Sequence, residues 1–376
     1  MSDDSIPEPD RIEGAPHPRH STAIFGHEAA EAEFLDAHAS GRLHHAWLLS
    51  GPRGIGKATL AWRIARFLAA TPAPGQDTGL FGDAPSPASL DLPAEHPVTR
   101  RAAALAEPAI YLCRRGWDEK AKRLKTQLTV DEIRRMKSHF ALSATDGGRR
   151  TAIIDPADEM NTAAANALLK LLEEPPANTV LLLVNHQPAR LLPTIRSRCR
   201  TLRLGPLSAE DLGRALQAAE QPLDQVDTLH RLSGGSVGEA VGLLEGGGLE
   251  IWPAILTLLA QAPRMDRQAI AALAQKAAGR ANDATYRMIV TLTERAVARL
   301  ARAGAGMTAD LTEAEAPIAA RLSPDPAAAR AWAETHATLT ERTGHARAVN
   351  LDPEQVILDM LLAIERTASR IRPAAA

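Results

Sequence analysis

An α/β fold with a parallel sheet, followed by all-helical domains, is what this 376-residue sequence predicts. Three observations carry the expectation. Short continuous apolar runs alternate with helical patterns as far as residue 205, the pattern of strands buried on both faces. A glycine-rich segment, "GPRGIGKAT" (51–59), lies between one such run and a helix-like stretch. Beyond residue 205 only helical periodicity remains.

Taken in order, residues 1–20 are rich in Pro and charge and are expected to be disordered. "HAWLLS" (45–50) reads as a first strand and "ATLAWRIARFLAA" as the helix after the glycine loop. Residues 71–99 are rich in Pro, Gly, Ser and Asp and read as a long flexible loop. "AIYLC" (109–113) is a second strand, "TAIID" (151–155) a third, "TVLLLV" (179–184) a fourth and "TLRL" (201–204) a fifth. Val130, Ile133, Met136 and Phe140 fall at helical spacing. Asn161 caps a helix that Pro175 and Pro176 stop, and Ser208 with Asp211 opens another. The run "EGGG" (245–248) reads as a linker, and Pro353 marks the start of the last helix.

Composition narrows the function classes. The formal net charge is -2, so any contact with nucleic acid must be local rather than a bulk electrostatic effect. Cys113 and Cys199 are too few for a disulfide framework or a four-thiolate zinc site, which suggests a reducing, cytoplasmic setting. No signal peptide is visible, and no apolar run reaches the roughly 18 residues of a membrane span. The histidines show no metal-ligand spacing.

The glycine loop is the chemical core of the reading. Gly51, Gly54 and Gly56 would let backbone N–H groups converge on phosphate oxygens, and Lys57 would add a point charge on the terminal phosphates. Two lesions follow. The position after the lysine, where a hydroxyl ligates magnesium, is Ala58, and Thr59 lies about 100° further round the helix. Asp155 ends a strand and could hold magnesium through water, but the next position, suited to a glutamate that polarises water, is Pro156. Asp158 and Glu159 read as a solvated turn.

"GPRGIGKATLA", "NALLKLLEEPP" and "LLPTIRSRCR", in this order and spacing, resemble the AAA+ clamp-loader subunits of bacterial DNA replication over about residues 22 to 370. The damaged loop beside an intact Ser197-Arg198-Cys199 is similar to the branch of that family that does not hydrolyse ATP. The resemblance implies a RecA-like AAA+ domain with a five-stranded parallel sheet (21–205), a small helical lid (206–248) and a helical collar for oligomerisation (249–376). It implies a rigid member of a five-subunit ring, with tau/gamma ATPase and delta subunits as partners. That ring loads a sliding clamp onto primer-template DNA for DNA polymerase III.

The same resemblance makes Arg198 an arginine finger acting in trans on a neighbour's ATP; from the residues alone it reads as a surface ion pair. Asn185, at the end of the fourth strand, would stand where relatives position the attacking water. Gly238 stands where ATP-using relatives place a sensor arginine. Gly51, Gly54, Gly56, Lys57, Ala58, Thr59, Asp155 and Asn185 then form a degenerate nucleotide site that requires no cofactor, though weak ATP or ADP binding stays compatible with it. Many relatives carry a four-cysteine zinc module after the loop helix; residues 71–108 contain no cysteine, so no zinc is expected. Two other readings stand beside this one: an ATP-hydrolysing motor subunit of the tau/gamma kind, and an AAA+ regulator outside replication. The basic stretch around Trp117, from Arg114 to Lys125, reads as a solvated, mobile hairpin interrupted by Asp118 and Glu119.

Overall fold

A computed structural model of the chain describes residues 7–71, 87–142, 149–279, 282–309 and 311–371. The chain divides into two compact units, Met1–Val241 and Gly242–Ala376. The residues assigned to the lid as far as 241 therefore pack with the α/β domain, and the division falls within the helix Val237–Glu245 rather than at 248/249.

Among the described residues the first unit has seven strands: β1 (Ala46–Ser50), β2 (Ile110–Cys113), β3 (Trp117–Asp118), β4 (Arg123–Leu124), β5 (Arg150–Ile154), β6 (Thr179–Asn185) and β7 (Arg200–Arg203). Five of them form one sheet in the order β2-β5-β6-β1-β7, with every pairing parallel. The five strands match the apolar runs to within a residue at each end. Continuous apolar sequence makes sense here because helices cover both faces: all seven residues of β6 are buried. Ala164, Leu168, Leu171 and Leu172 of the helix Thr162–Glu173 pack into the core with Ile154, Leu181 and Leu183. Asn161 caps that helix by accepting from the Ala164 N–H at 2.9 Å.

Two expectations are corrected and a third is refined. Residues 7–20 are not a disordered tail; they end in a 3-10 turn, Pro18–His20, and lie on the domain through buried contacts. Charge and proline lowered their apparent tendency to fold, but their carboxylates meet arginines that are distant in sequence. The loop expected over 71–99 gives way to a helix, Pro97–Ala103, and Leu90 is buried; residues 72–86 lie outside the described residues. The basic stretch is the hairpin expected, an antiparallel pair β3–β4 with residues 119–123 exposed, and Arg114, Arg115, Lys122 and Lys125 are in ion pairs.

The second unit is helical throughout its described residues. Asp283–Gly304 and Pro326–Ala348 pack along each other, and Pro353–Arg370 starts at Pro353 with Asp352 as its cap. Buried Ile289, Leu292, Val297 and Leu300 make the apolar stripe, and Trp332 fills the core with its indole N–H donated to the Leu322 carbonyl at 2.7 Å. No single described helix in the chain is long and apolar enough to cross a membrane.

One polar contact inside this unit tests the packing. Arg299 and Glu315 are 6% and 5% exposed and pair at 2.6 Å, whereas Arg342 and Asp359 pair at 2.8 Å in solvent. Breaking a buried pair costs about 3–5 kcal/mol, whereas an exposed pair is worth about 0–1 kcal/mol. Denaturant unfolding should therefore show Glu315→Ala losing several kcal/mol in this unit and Asp359→Ala losing under about 1 kcal/mol.

Candidate functional site

The carboxyl ends of β1, β5 and β6 meet at the loop Gly51–Gly56, the position at which open parallel sheets take ligands. The loop runs from β1 directly into the helix Lys57–Ala70, so its N–H groups and the helix N-terminus point at a cavity of about 580 Å³. Gly54, with φ +76°, is required at its place because a Cβ there would meet the Ser236 hydroxyl at 2.5 Å. Buried His27 fixes the far side of the loop by donating its ring N–H to the Ile55 carbonyl at 2.6 Å.

Of the residues expected in the site, Gly54, Gly56, Lys57, Ala58, Thr59 and Asp155 line the cavity, and Gly51 and Asn185 are not among its lining residues. Lys57 is buried and turns back, donating to the Gly51 carbonyl at 2.8 Å and to the Pro52 carbonyl. Its burial lowers the ammonium to about 8 against the opposing pull of Asp155 and Asp158. Asp155 follows β5 and is 4% exposed; burial, then the neighbouring charge of Asp10, pushes its carboxyl up to about 8. Asn185 ends β6 fully buried. Its Oδ1 accepts from the Gln187 N–H at 3.0 Å, and its Nδ2 has no partner among the described residues. Ala58 and Thr59 lie in the first turn of the loop helix.

Sequence reading missed several members. Asp158 is not in a solvated turn: it is buried and accepts the His186 N–H at 2.9 Å. His186 also faces the cavity, its imidazolium disfavoured by burial and by Lys57, so that its pKa falls to about 4. Asp10 and Ile12, from the segment expected to be disordered, form part of the cavity wall. Nothing local marks them; only their contacts after folding do. The sequence signal that was present for Ser236 is the "GGS" turn, whose hydroxyl donates to the Arg53 carbonyl at 2.9 Å.

Three positions of the arrangement carry no group for a magnesium nucleotide. Ala58 offers no oxygen, Pro156 no acid and Gly238 no cation, and the one strand-end carboxyl, Asp155, is mostly protonated at neutral pH.

Arg198 lies away from this cavity, beyond the short helix Pro193–Arg196. It is 38% exposed, pairs with Glu173 at 2.9 Å and donates to the Thr194 carbonyl at 3.1 Å. Ser197 caps the same turn through its own bond to Thr194, and burial pushes the Cys199 thiol up to about 12, which leaves it unreactive at neutral pH.

Sheet order, phosphate loop, strand-end Asp155 and polar Asn185 together define a P-loop domain of the AAA+ class. A family model described as DNA polymerase III, delta subunit, matches residues 26–208. DNA polymerase III subunit delta' of Pseudomonas aeruginosa is 40% identical over 199 residues, which is 51% of this chain and 53% of that protein. The delta' subunit of Escherichia coli strain K12 is 40% identical over 136 residues, 36% of this chain and 40% of its own length. A gamma/tau subunit of Mycobacterium tuberculosis strain H37Rv is 32% identical over 177 residues, 46% of this chain and 27% of its own. This chain thus spans about half or less of the length of the relatives it matches. Over the matched residues the chain is similar to the delta' and gamma/tau subunits of DNA polymerase III.

The buried acid gives a pH signature. Because the Asp155 carboxyl is raised from its ordinary value to about 8, the folded chain keeps a proton that the unfolded chain releases. Stability from this group is full below about pH 4 and is lost progressively as pH rises towards 8. Lys57, lowered to about 8, acts only above that window. Asp155→Asn, which cannot ionise, should therefore unfold at a higher temperature than the parent chain, by a margin that widens from pH 5 to pH 7.5. A margin that is constant or shrinks would contradict the assignment.

Proposed function

We propose that this chain is a non-hydrolysing subunit of the DNA polymerase III clamp loader, of the delta' kind. In this reading it sits in a ring with tau/gamma ATPase subunits and a delta subunit, and helps to place the sliding clamp on primed DNA. Arg198 enters the ATP site of a neighbouring subunit. It needs no cofactor and no zinc of its own, and weak ATP or ADP binding at its own loop would be without turnover.

The observation that carries the reading is the contrast between the chain's two sites. The phosphate cavity has lost its magnesium ligand, its acid and its sensor cation at Ala58, Pro156 and Gly238. The Ser197-Arg198-Cys199 turn keeps its hydrogen bonds and presents a half-exposed guanidinium. A guanidinium is permanently charged and forked, suited to phosphate oxygens, and a finger in trans can contribute about 10³–10⁵ in rate. The pair with Glu173 is exposed and is worth at most about 1 kcal/mol, so it does not prevent Arg198 from moving to a stronger anionic partner. The three lost groups also weigh against the motor reading. The delta' matches weigh against a regulator outside replication.

Arg198→Ala in a loader reconstituted with tau/gamma and delta subunits should lower DNA-stimulated ATPase by at least about tenfold at saturating ATP, with the ring still assembling on size exclusion. Unchanged turnover in an assembled ring would remove the finger, and turnover by the isolated parent chain would favour the motor reading.

A further inference from the structure

The cavity's own walls touch across it. The lid-side loop Ser236–Gly238 lies directly on the phosphate loop: the Gly238 N–H donates to the Gly54 carbonyl at 2.9 Å, and the Ser236 hydroxyl donates to the Arg53 carbonyl at 2.9 Å. A Cβ on Gly54 would come within 3.0 Å of the Gly238 Cα, and a Cβ on Gly238 would collide with Ile12 Cδ1 and come within 2.9 Å of the Gly54 Cα. The approach is close enough that neither residue tolerates a side chain, and Ile12 fills the space that a side chain at 238 would take.

Ile12 is not a loose end. The segment that carries it is fastened along its length. Asp10, its side chain 1% exposed, pairs with His17 at 2.9 Å and with Arg114 at 2.6 Å. Burial opposes the charge on Asp10, but His17 and Arg114 outweigh it and hold the carboxyl below its ordinary value. Glu8 pairs with Arg19 and Arg114. Arg66, 2% exposed, donates to the Arg19 carbonyl at 2.9 Å and the Ser21 carbonyl at 2.6 Å, and Arg63 donates to the Thr22 carbonyl. From the lid side Gln221 donates to the Gly14 carbonyl at 3.2 Å. Both buried arginines come from the helix that begins at Lys57, so one element presents the phosphate loop and anchors the segment that covers it.

We propose that the phosphate loop is latched by the chain itself, with Ser236–Gly238 on one side and the N-terminal strap Asp10–Ile12 on the other, so that the lid is held on the α/β core without nucleotide. In a site that works with nucleotide, the phosphates join loop to lid, and the lid's position follows the ligand. Here two direct hydrogen bonds and the Ile12 contact make that join permanently. Gly238 is then a positioning residue: the absence of its side chain both removes a phosphate sensor and permits the contact. The proposal rests on the reading that this site does not turn nucleotide over, and it supplies the physical means by which the subunit stays rigid.

Amide hydrogen exchange on the full chain tests it, with Gly238→Ala and with a chain lacking residues 2–12, each first shown to unfold cooperatively on heating. In the parent chain the amides of residues 54–58 and 236–240 should be protected, and 1 mM ADP should leave them unchanged. In both variants those segments should exchange at least about tenfold faster, with the core strands unaffected. If Gly238→Ala does not unfold cooperatively, Ile12→Ala takes its place under the same criterion. Unchanged exchange at these segments in either folded variant overturns the latch. ATP turnover by the isolated parent chain would instead overturn the non-hydrolysing reading, while the exchange result still decides the latch.

Discussion

The backbone bond from the Gly238 N–H to the Gly54 carbonyl is the constraint on which the site's structure depends. It ties a turn after residue 233 to a loop after β1, about 180 residues away in sequence, and it needs both residues to lack a side chain. With the two loops in contact, the remaining space is the 580 Å³ cavity bounded by residues 9–25 and the lid. Polar groups that would otherwise face ligand or water must then be satisfied by protein, and Lys57 shows how: its ammonium is taken by the carbonyls of its own loop.

The same economy of charge explains the interior of the first unit. Lys57, Arg63, Arg66 and Asp155 are all nearly inaccessible, and isolated buried charges are costly. Arg63 and Arg66 are met by the carbonyls of Arg19, Ser21 and Thr22 and by Glu31 and Asp91, so residues 19–22 are a structural requirement of the helix Lys57–Ala70. Asp155 is relieved differently, by holding its proton. The group that would anchor a divalent cation in an active relative is here close to neutral.

The domain carries two chemically distinct regions. The cavity at the ends of β1, β5 and β6 keeps the shape of a nucleotide site without the groups for catalysis. The turn at Ser197–Cys199 lies at the surface, with Arg198 38% exposed and the Ser197 hydroxyl donating to the Thr194 carbonyl. Glu173 closes the "LLEEPP" helix and holds Arg198 in solvent by a weak pair, which orients the guanidinium without trapping it.

The sequence by itself determined the elements and the missing chemistry. Buried parallel strands must be apolar on both faces, so β1, β2, β5, β6 and β7 are visible as runs. A cap such as Asn161 satisfies N–H groups within three residues, so it too is local. Ala58, Pro156 and Gly238 announce their lack of functional groups wherever they are placed. The family's motifs added Arg198, which its own chemistry does not distinguish from any surface arginine. The tertiary structure alone decided that Glu8, Asp10 and Ile12 are ordered, that Asp158 and His186 are buried at the site, and that the lid loop lies on the phosphate loop. Each of these depends on a partner far along the chain, and a charged, proline-rich segment carries no periodicity from which such a partner could be inferred.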